Sequence, residues 1–201
     1  MTFEPYARSF FERLADAVAH DLIGADIVIH GEDRTLRARI VETEAYGGSD
    51  DPASHAFRGP TPRCAVMFGA AGFLYVYRSY GIHWCMNVVT ERAGSASAVL
   101  LRAAEVRVAA EDPAGAGTRG VLLRGPGNLT RGLGISGADG GEDCCQGLGG
   151  RITFQDAADA VGSSHIGRSR RIGISRGQER LSRYFLEGHP AVCRIPSPAP
   201  R

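Results

Sequence analysis

The sequence predicts an α+β fold: one domain in which helices flank a strongly curved, mainly antiparallel β-sheet. Three observations lead to this prediction. A chain of 201 residues is long enough to bury an apolar core within a single domain, here residues 1–201. Helical spacing of apolar residues is confined to a few segments. Short segments rich in β-branched and aromatic residues are numerous, and polar or glycine-containing turns separate them, as in antiparallel sheets.

An amphipathic helix and a pair of strands are predicted for the first quarter of the chain. Residues 8–22 carry apolar side chains at helical spacing, namely Phe11, Leu14, Ala15, Val18 and Leu22. Gly24 follows this segment as a stop signal. In residues 25–46, β-branched residues dominate on both sides of a Gly-Glu-Asp-Arg turn at 31–34, which predicts two strands.

The rest of the chain predicts more strands and one short helix. A loop rich in Gly, Ser, Asp and Pro covers 47–62, and a hairpin follows with its turn near Tyr80 and Gly81. The remaining predicted elements are a strand over about 95–106, a short helix near 127–134, strands near 150–154, 170–174 and 183–187, and a frayed tail over about 196–201.

Composition excludes several classes of protein. Five cysteines lack the paired spacing of a zinc site or a disulfide-rich secreted domain, so we expect reduced thiols, no metal and no cofactor. No apolar run approaches the roughly 20 residues that span a bilayer. The N-terminus lacks the basic and apolar segments of a secretory signal. We therefore expect a cytoplasmic protein with no signal peptide and no membrane partner.

Charge is small in total but unevenly distributed. The formal net charge of +1 argues against a strongly basic nucleic-acid-binding protein, yet residues 161–201 carry 8 Arg against 2 acids. Six of these arginines form a candidate phosphate-binding segment: Arg168, Arg170, Arg171, Arg176, Arg180 and Arg183. A solvated charged face is the alternative interpretation of the same segment.

Two carboxylates fall close together in the predicted strand RARIVETEAY. Period-two alternation places Ile40, Glu42, Glu44 and Tyr46 on one face of that strand. Residues two apart on a strand are separated by roughly 6.6 Å, so one carboxylate can stay ionised while the pKa of the other is raised. The pair is a candidate catalytic site, with a solvent-facing strand edge as the alternative.

Several segments together resemble one known family. They are, in chain order, RIVETEAYGG, SHAFRGPTPR, MFGAAGFLYVYRSYGIHWCMNVV, AVLLRAAE, RGPGNLTRGLGI and RRIGISRG, followed by RYFLEGHPAV. Their order and spacing resemble those of the alkyladenine (3-methyladenine) DNA glycosylases over nearly all of residues 10–194. The resemblance implies a fold like the C-terminal domain of formyltransferases. It also implies a monomeric, nucleoid-associated enzyme whose partner is double-stranded DNA containing damaged purines.

The implied activity is base excision with an activated water. Glu44, the second Glu of ETEAY, matches the family's general base, and Arg102 matches the arginine that helps to hold the attacking water. Ile172 matches the residue whose backbone carbonyl completes the water site. Such a set can orient one water toward the C1′ atom of the sugar. Because the chain has no lysine, we expect no Schiff-base intermediate and no cleavage of the DNA backbone through one.

The resemblance also implies a base pocket. Tyr46, His55 and Tyr77 match the side chains that sandwich the flipped base, and Asn87 matches the residue that clashes with the exocyclic amine of normal guanine. Electron-rich aromatic faces attract a cationic alkylated purine by roughly 0.5–2 kcal/mol. The implied substrates are 3-methyladenine, 7-methylguanine, hypoxanthine and ethenoadenine.

Contacts with the duplex are expected around the predicted hairpin. Tyr80, beside a turn glycine, is expected to project from the hairpin tip, and it matches the family's wedge that fills the gap left by the flipped base. Arg63, Ile82 and His83 are further candidate DNA-binding residues.

Two alternatives remain open from the sequence. An O-glycoside hydrolase could use Glu42 and Glu44 as its acid and base, since their separation lies near the range of inverting enzymes. A non-catalytic module that binds lesions or nucleic acid would keep the same pocket without the chemistry.

Overall fold

The computed structural model of the protein describes residues 4–31, 35–107, 120–158, 162 and 165–194. Within these residues nine strands form one sheet, and every recorded pairing between them is antiparallel. The strands are β1 Asp26–His30, β2 Thr35–Tyr46, β3 Leu74–Ser79, β4 His83–Thr90, β5 Ser97–Arg107, β6 Val121–Arg124, β7 Ile152–Gln155, β8 Ile166–Ser169 and β9 Arg183–Leu186. The prediction of an α+β fold around a curved, mainly antiparallel sheet is confirmed.

Two long strands in the middle of the sheet make it curl. β2 and β5 pair with each other along most of their length. The other edge of β2 pairs with β1 in its first half and with β9 in its second half. The other edge of β5 is likewise divided between β4 and β6. Because each long strand changes neighbours along its length, its two ends belong to differently oriented parts of the sheet.

The helices are α1 Arg8–Phe11, α2 Ala15–Asp21 and α3 Pro126–Leu133. Single 3-10 turns occur at Ala65–Phe68, Gly137–Asp139 and Gly147–Gly149. None of the helices in the described ranges is long and apolar enough to cross a membrane. The main core lies between the helices and the sheet, and its largest members include Phe11, Leu22, Leu129 and Phe154.

The predicted helix over 8–22 is wrong in one respect, because it is divided into α1 and α2. Glu91 explains the break: its backbone N–H donates to the carbonyl of Phe11 (2.9 Å), and its carboxylate accepts from the N–H of Ala15 (3.3 Å). These contacts satisfy backbone groups that a continuous helix would pair internally. As a result Leu14 is 70% exposed, although its spacing predicted burial.

A β-bulge in β2 decides which side chains face the site. The pairing of β2 with β5 shifts on both sides of Glu42. Ala38 and Ile40 therefore face the main core before the bulge, and Ala45 does so after it. The sequence prediction that Ile40 shares a face with Glu42, Glu44 and Tyr46 is wrong, because strict alternation fails at a bulge.

Other elements differ in extent from those predicted. The strand predicted at 170–174 is wrong; the strand β8 ends at Ser169, and the backbone N–H of Ile172 bonds a carboxylate instead of a neighbouring strand. β6 was not expected, because its surroundings from 105 to 150 are rich in Gly and Ala. The predicted tail at about 196–201, and residues 32–34 of the turn predicted at 31–34, lie outside the described residues.

Candidate active site

A cavity of about 690 Å³ opens beside the hairpin formed by β3 and β4. Its walls come from the ends of β2, β3, β4 and β5 and from two loops, 52–55 and 172–176. The volume falls in the range of about 300–1,000 Å³ that is typical of small-molecule sites. A cavity of this size can accept a purine base.

Glu44 lies fully buried behind this cavity and is held by three donors. One carboxylate oxygen, Oε1, accepts from the backbone N–H of Ile172 at 2.7 Å. The other, Oε2, accepts from the hydroxyl of Tyr46 at 2.9 Å and from the guanidinium of Arg102 at 3.1 Å. The carboxylate is thus fixed in orientation by two different strands and a loop.

The environment makes Glu44 a stronger base than an ordinary glutamate. Burial raises the pKa of Glu44, and the charge of Glu42 adds to the rise. Arg102, the Ile172 N–H and the Tyr46 hydroxyl oppose the shift without cancelling it. Burial, followed by the charge of Glu44, raises the pKa of Tyr46, so its phenol keeps the proton that it donates to Glu44.

Arg102 connects Glu44 to a second buried carboxylate. The Nε atom of Arg102 donates to Glu42 at 2.9 Å, while its Nη1 atom reaches Glu44. Burial alone would lower the pKa of Arg102, but the two carboxylates raise it and keep the guanidinium charged. Glu42 is in turn held by Arg183 Nε at 2.8 Å and by the backbone N–H of Cys193 at 2.8 Å.

Glu42 therefore has a different environment from Glu44. Like Glu44 it is fully buried and does not line the cavity, but it is held by two arginines and by the backbone N–H of Cys193. Burial would raise its pKa, yet the Cys193 N–H and the charges of Arg102 and Arg183 lower it. A carboxylate engaged in this way is poorly placed to act as an acid or base on a substrate, which argues against the O-glycoside hydrolase alternative.

Aromatic side chains form part of the cavity wall. His55 and Tyr77 lie edge to face, with ring centroids 4.6 Å apart, and Tyr75 stacks on Tyr77 at 5.3 Å. The His55 Nδ1 atom is 2.8 Å from the Tyr75 hydroxyl. Partial burial, followed by the charge of Arg63, lowers the pKa of His55, which favours the neutral imidazole. The structure thus brings to one cavity the three residues that the resemblance implies for the base pocket, Tyr46, His55 and Tyr77.

Asn87 also reaches the cavity from β4. Its side chain is 4% exposed, and its Nδ2 atom donates to the carbonyl of Tyr75 at 2.9 Å. This bond fixes the orientation of the amide at the cavity wall. A base that enters the cavity therefore meets a rigid polar group at this wall.

The tip of the β3–β4 hairpin projects from the protein. Tyr80 is 89% exposed and Ile82 is 74% exposed. Tyr80 has φ of 49° and Gly81 has φ of 69°, so the turn holds a tyrosine in the left-handed region. Such a conformation is uncommon for a bulky residue, and it is a reason to look for a function at this position.

The three candidate DNA contacts occupy different places. Arg63 is exposed at the cavity, with its guanidinium 5.1 Å from the centre of the Tyr77 ring. His83 lines both the cavity and a second groove, which runs along α3. Ile82 lines only the second groove. The structure therefore does not bring Ile82 to the base cavity with the other predicted residues.

Most arginines of the basic segment over 168–183 are bonded within the protein and do not form an open phosphate-binding surface. Four of its six arginines have protein partners: Arg168 donates to the Leu181 carbonyl, Arg171 to Asp51, Arg180 to Asp50 and Arg183 to Glu42. Arg170 and Arg176 are exposed, and Arg176 lines the cavity. The segment serves mainly to bind the chain to itself.

Two buried ion pairs of the site were missed in the sequence. These are Arg171 with Asp51 and Arg183 with Glu42, whose members lie 120 and 141 residues apart. Local patterns do not reveal such distant pairs. The available signal was modest: Asp51 falls in the predicted loop between Tyr46 and His55, and Arg171 directly precedes Ile172.

Comparison with known proteins agrees with this geometry. The sequence profile of the methylpurine-DNA glycosylase family matches residues 9–190. The chain therefore belongs to the methylpurine-DNA glycosylase family, and it is a DNA repair enzyme that hydrolyses N-glycosyl bonds in DNA.

Relatives across bacteria support the assignment, and their names place them among the 3-methyladenine DNA glycosylases. A protein of Frankia casuarinae is 45% identical over 198 residues, covering 94% of this chain and 92% of the relative. One from Rhodopseudomonas palustris strain HaA2 is 50% identical, covering 92% and 88%. One from Salinibacter ruber is 42% identical and covers 98% of each chain.

Proposed function

We propose that the protein flips alkylated or deaminated purines out of duplex DNA and hydrolyses their bond to the sugar with a water activated by Glu44. The substrate class comprises 3-methyladenine, 7-methylguanine, hypoxanthine and ethenoadenine. The observation that carries the proposal is the position of Glu44, a buried carboxylate whose pKa is raised by its environment, behind a base-sized cavity with aromatic side chains in its wall.

The reaction uses Glu44 and two of the residues that bond it, Arg102 and Ile172. The carboxylate accepts a proton from water as the oxygen attacks C1′, while Arg102 orients the carboxylate and stabilises its charge. The backbone N–H of Ile172 holds the other carboxylate oxygen, and its carbonyl is the proposed second ligand of the water. The base leaves with the electrons of the glycosidic bond, and an abasic site remains.

The pocket selects the base. Tyr46, His55 and Tyr77 stack on the flipped purine, and Asn87 excludes the exocyclic amine of normal guanine. A purine alkylated at N3 or N7 is cationic and departs readily, so it needs little acid catalysis. Tyr80 inserts into the duplex and offsets part of the few kcal/mol that base flipping costs.

The same chemistry leaves the DNA backbone intact. Cleavage of the backbone by a bifunctional glycosylase needs an amine nucleophile, and the chain has no lysine to supply one. We therefore propose a monofunctional enzyme without lyase activity.

The test is release of free base from alkylated duplex DNA by the wild type and by Glu44→Gln, with a metal chelator present. Release by the wild type alone, with an unbroken strand at the abasic site, is expected. If neither protein releases base but both bind lesion DNA, the alternative of a non-catalytic binding module holds. Strand cleavage by the purified wild type would contradict the monofunctional assignment.

A further inference from the structure

A buried ion pair lies directly behind the wall of the base cavity. Arg171 donates to both carboxylate oxygens of Asp51, from Nη1 at 2.5 Å and from Nη2 at 2.9 Å. The side chains are 0% and 1% exposed. Burial would lower the pKa of Arg171, but the bond to Asp51 raises it, and the pair remains ionised.

This pair joins three segments of the chain. Arg171 also donates to the carbonyl of Ala45, at the end of β2, at 3.0 Å, and its guanidinium lies 4.6 Å from the centre of the Tyr46 ring. Asp51 accepts from the backbone N–H groups of Gly47 and Ala53, within the loop that leads to His55. Residues 170–177 form no helix or strand, so their position depends on contacts of this kind.

The pair also bears on the water-activating group. Ile172 follows Arg171 in the chain, and its N–H donates to Glu44 at 2.7 Å. Fixing Arg171 therefore limits the movement of this donor. Arg171, one member of the ion pair, supports the Tyr46 ring at the cavity. Ile172, the next residue in the chain, holds Glu44, the proposed general base.

We propose that Arg171 and Asp51 are positioning residues for base excision, which couple the wall of the base pocket to the orientation of Glu44. They touch neither the cavity nor the reacting atoms; they act by holding Tyr46 and the Ile172 N–H in place. This inference rests on the proposed function.

The geometry determines which substitutions test it. Arg171→Lys keeps the charge but loses the planar fork that binds both oxygens and stacks on Tyr46. Asp51→Asn keeps the shape and loses the charge. Gly177→Ala keeps both charges, but its Cβ would lie 3.0 Å from Arg171 Nη2 at a residue with φ of +59°. This third variant disturbs the pair even if a buried unpaired charge prevents the others from folding.

The experiment measures single-turnover base release from a duplex with one deoxyinosine, at several pH values, by full-length protein whose folding is checked by circular dichroism. We expect the folded variants to be slower by about 10- to 100-fold, the loss typical of small displacements of catalytic groups. The acidic limb of the pH profile should also move to higher pH, because a weaker Ile172 N–H bond to the Glu44 carboxylate raises the pKa of Glu44.

The matched control is Asp50→Asn. Asp50 lies beside Asp51 in the same loop and pairs with Arg180, just beyond residues 170–177, at 3.3 Å, but its side chain is 74% exposed. We expect wild-type rates from this variant. The inference is overturned if the folded variants match the wild type, or if they lose rate equally at every pH with the acidic limb unmoved. If the wild type releases no base from this duplex or from alkylated duplex DNA, the proposed function fails, and the inference fails with it.

Discussion

Replacing Glu42 with glutamine is expected to lower the free energy of unfolding by about 3–5 kcal/mol at neutral pH. Glu42 is fully buried, and both of its oxygens are used: Oε1 accepts from Arg102 and Arg183, and Oε2 accepts from the N–H of Cys193. A glutamine has one acceptor oxygen in place of two. Whichever way the amide turns, either the two arginines or the Cys193 N–H faces its NH₂ group, which cannot accept their hydrogen bonds.

The size of this loss in unfolding free energy follows from the contacts that remain around residue 42 in the variant. If the amide oxygen faces the arginines, the Cys193 N–H loses its acceptor, which costs about 1–3 kcal/mol. Two charge-assisted bonds also become bonds from a cation to a neutral group, and such bonds are roughly half as strong. Arg102 then keeps its bond to the buried charge of Glu44, while the remaining recorded bonds of Arg183 go to neutral oxygens of Ser169 and Cys193. Together these losses reach the expected range.

Urea unfolding at several pH values tests this reasoning. The pKa of Glu42 is lowered in the folded state, so its charge stabilises the protein fully above the ordinary value of 4.5. This stabilisation is lost as the pH falls through the folded-state pKa, and the difference between wild type and variant should shrink in acid. Glu105→Gln is the control, since Glu105 is 31% exposed and pairs with His189 at 3.2 Å. The control should lose less than about 1 kcal/mol. A loss below about 1 kcal/mol for Glu42→Gln, or a difference that persists unchanged in acid, would refute the argument.

Three further predictions concern the reaction. Tyr80→Ala should leave thermal unfolding unchanged, because the ring is 89% exposed, but weaken binding of a lesion duplex by the roughly 1–3 kcal/mol typical of base stacking, measured by fluorescence anisotropy. Base release by the wild type should increase as pH rises through the raised pKa of Glu44, so its acidic limb lies above the ordinary glutamate value of 4.5 in a pH–rate profile. Asn87→Ser should release undamaged guanine from normal DNA, detected by chromatography of the free base.

Each of these has a result that would count against it. Unaltered lesion affinity in Tyr80→Ala would remove the tyrosine from the duplex contact. An acidic limb at or below pH 4.5 would contradict the basicity assigned to Glu44. No more guanine from Asn87→Ser than from the wild type would show that another group excludes guanine.

Local patterns in the sequence predicted the parts of the site that lie within single elements. Alternation along β2 placed Glu42, Glu44 and Tyr46 on one face, and a glycine beside Tyr80 predicted an exposed hairpin tip. The structure agrees on both points, since Tyr46 bonds Glu44 and Tyr80 projects into solvent. These features depend on the geometry of one strand and one turn, which a few neighbouring residues determine.

Features that depend on distant partners could not be predicted in this way. Ile40 was assigned to the wrong face because the bulge arises where β2 meets β5, about 60 residues later. Arg171 and Arg183 were grouped with surface arginines because the sequence around an arginine does not show whether a carboxylate from a distant part of the chain pairs with it. The division of the first helix likewise depends on Glu91, far along the chain from Phe11 and Ala15.

The bulge at Glu42 makes the length of β2 as important as its composition. Ile40 and Ala45 are an odd number of residues apart, yet both belong to the main core, while Glu42 and Glu44 bind Arg102. Removing one residue at the bulge, such as Val41, would leave both sets on their own faces but would shift the pairing of the rest of β2 with β5 by one residue. Substitutions in this strand act at one position each, whereas a single-residue deletion would change the pairing partner of every later residue in β2. Redesign of the enzyme by loop grafting or segment exchange must therefore preserve the number of residues between Ile40 and Tyr46.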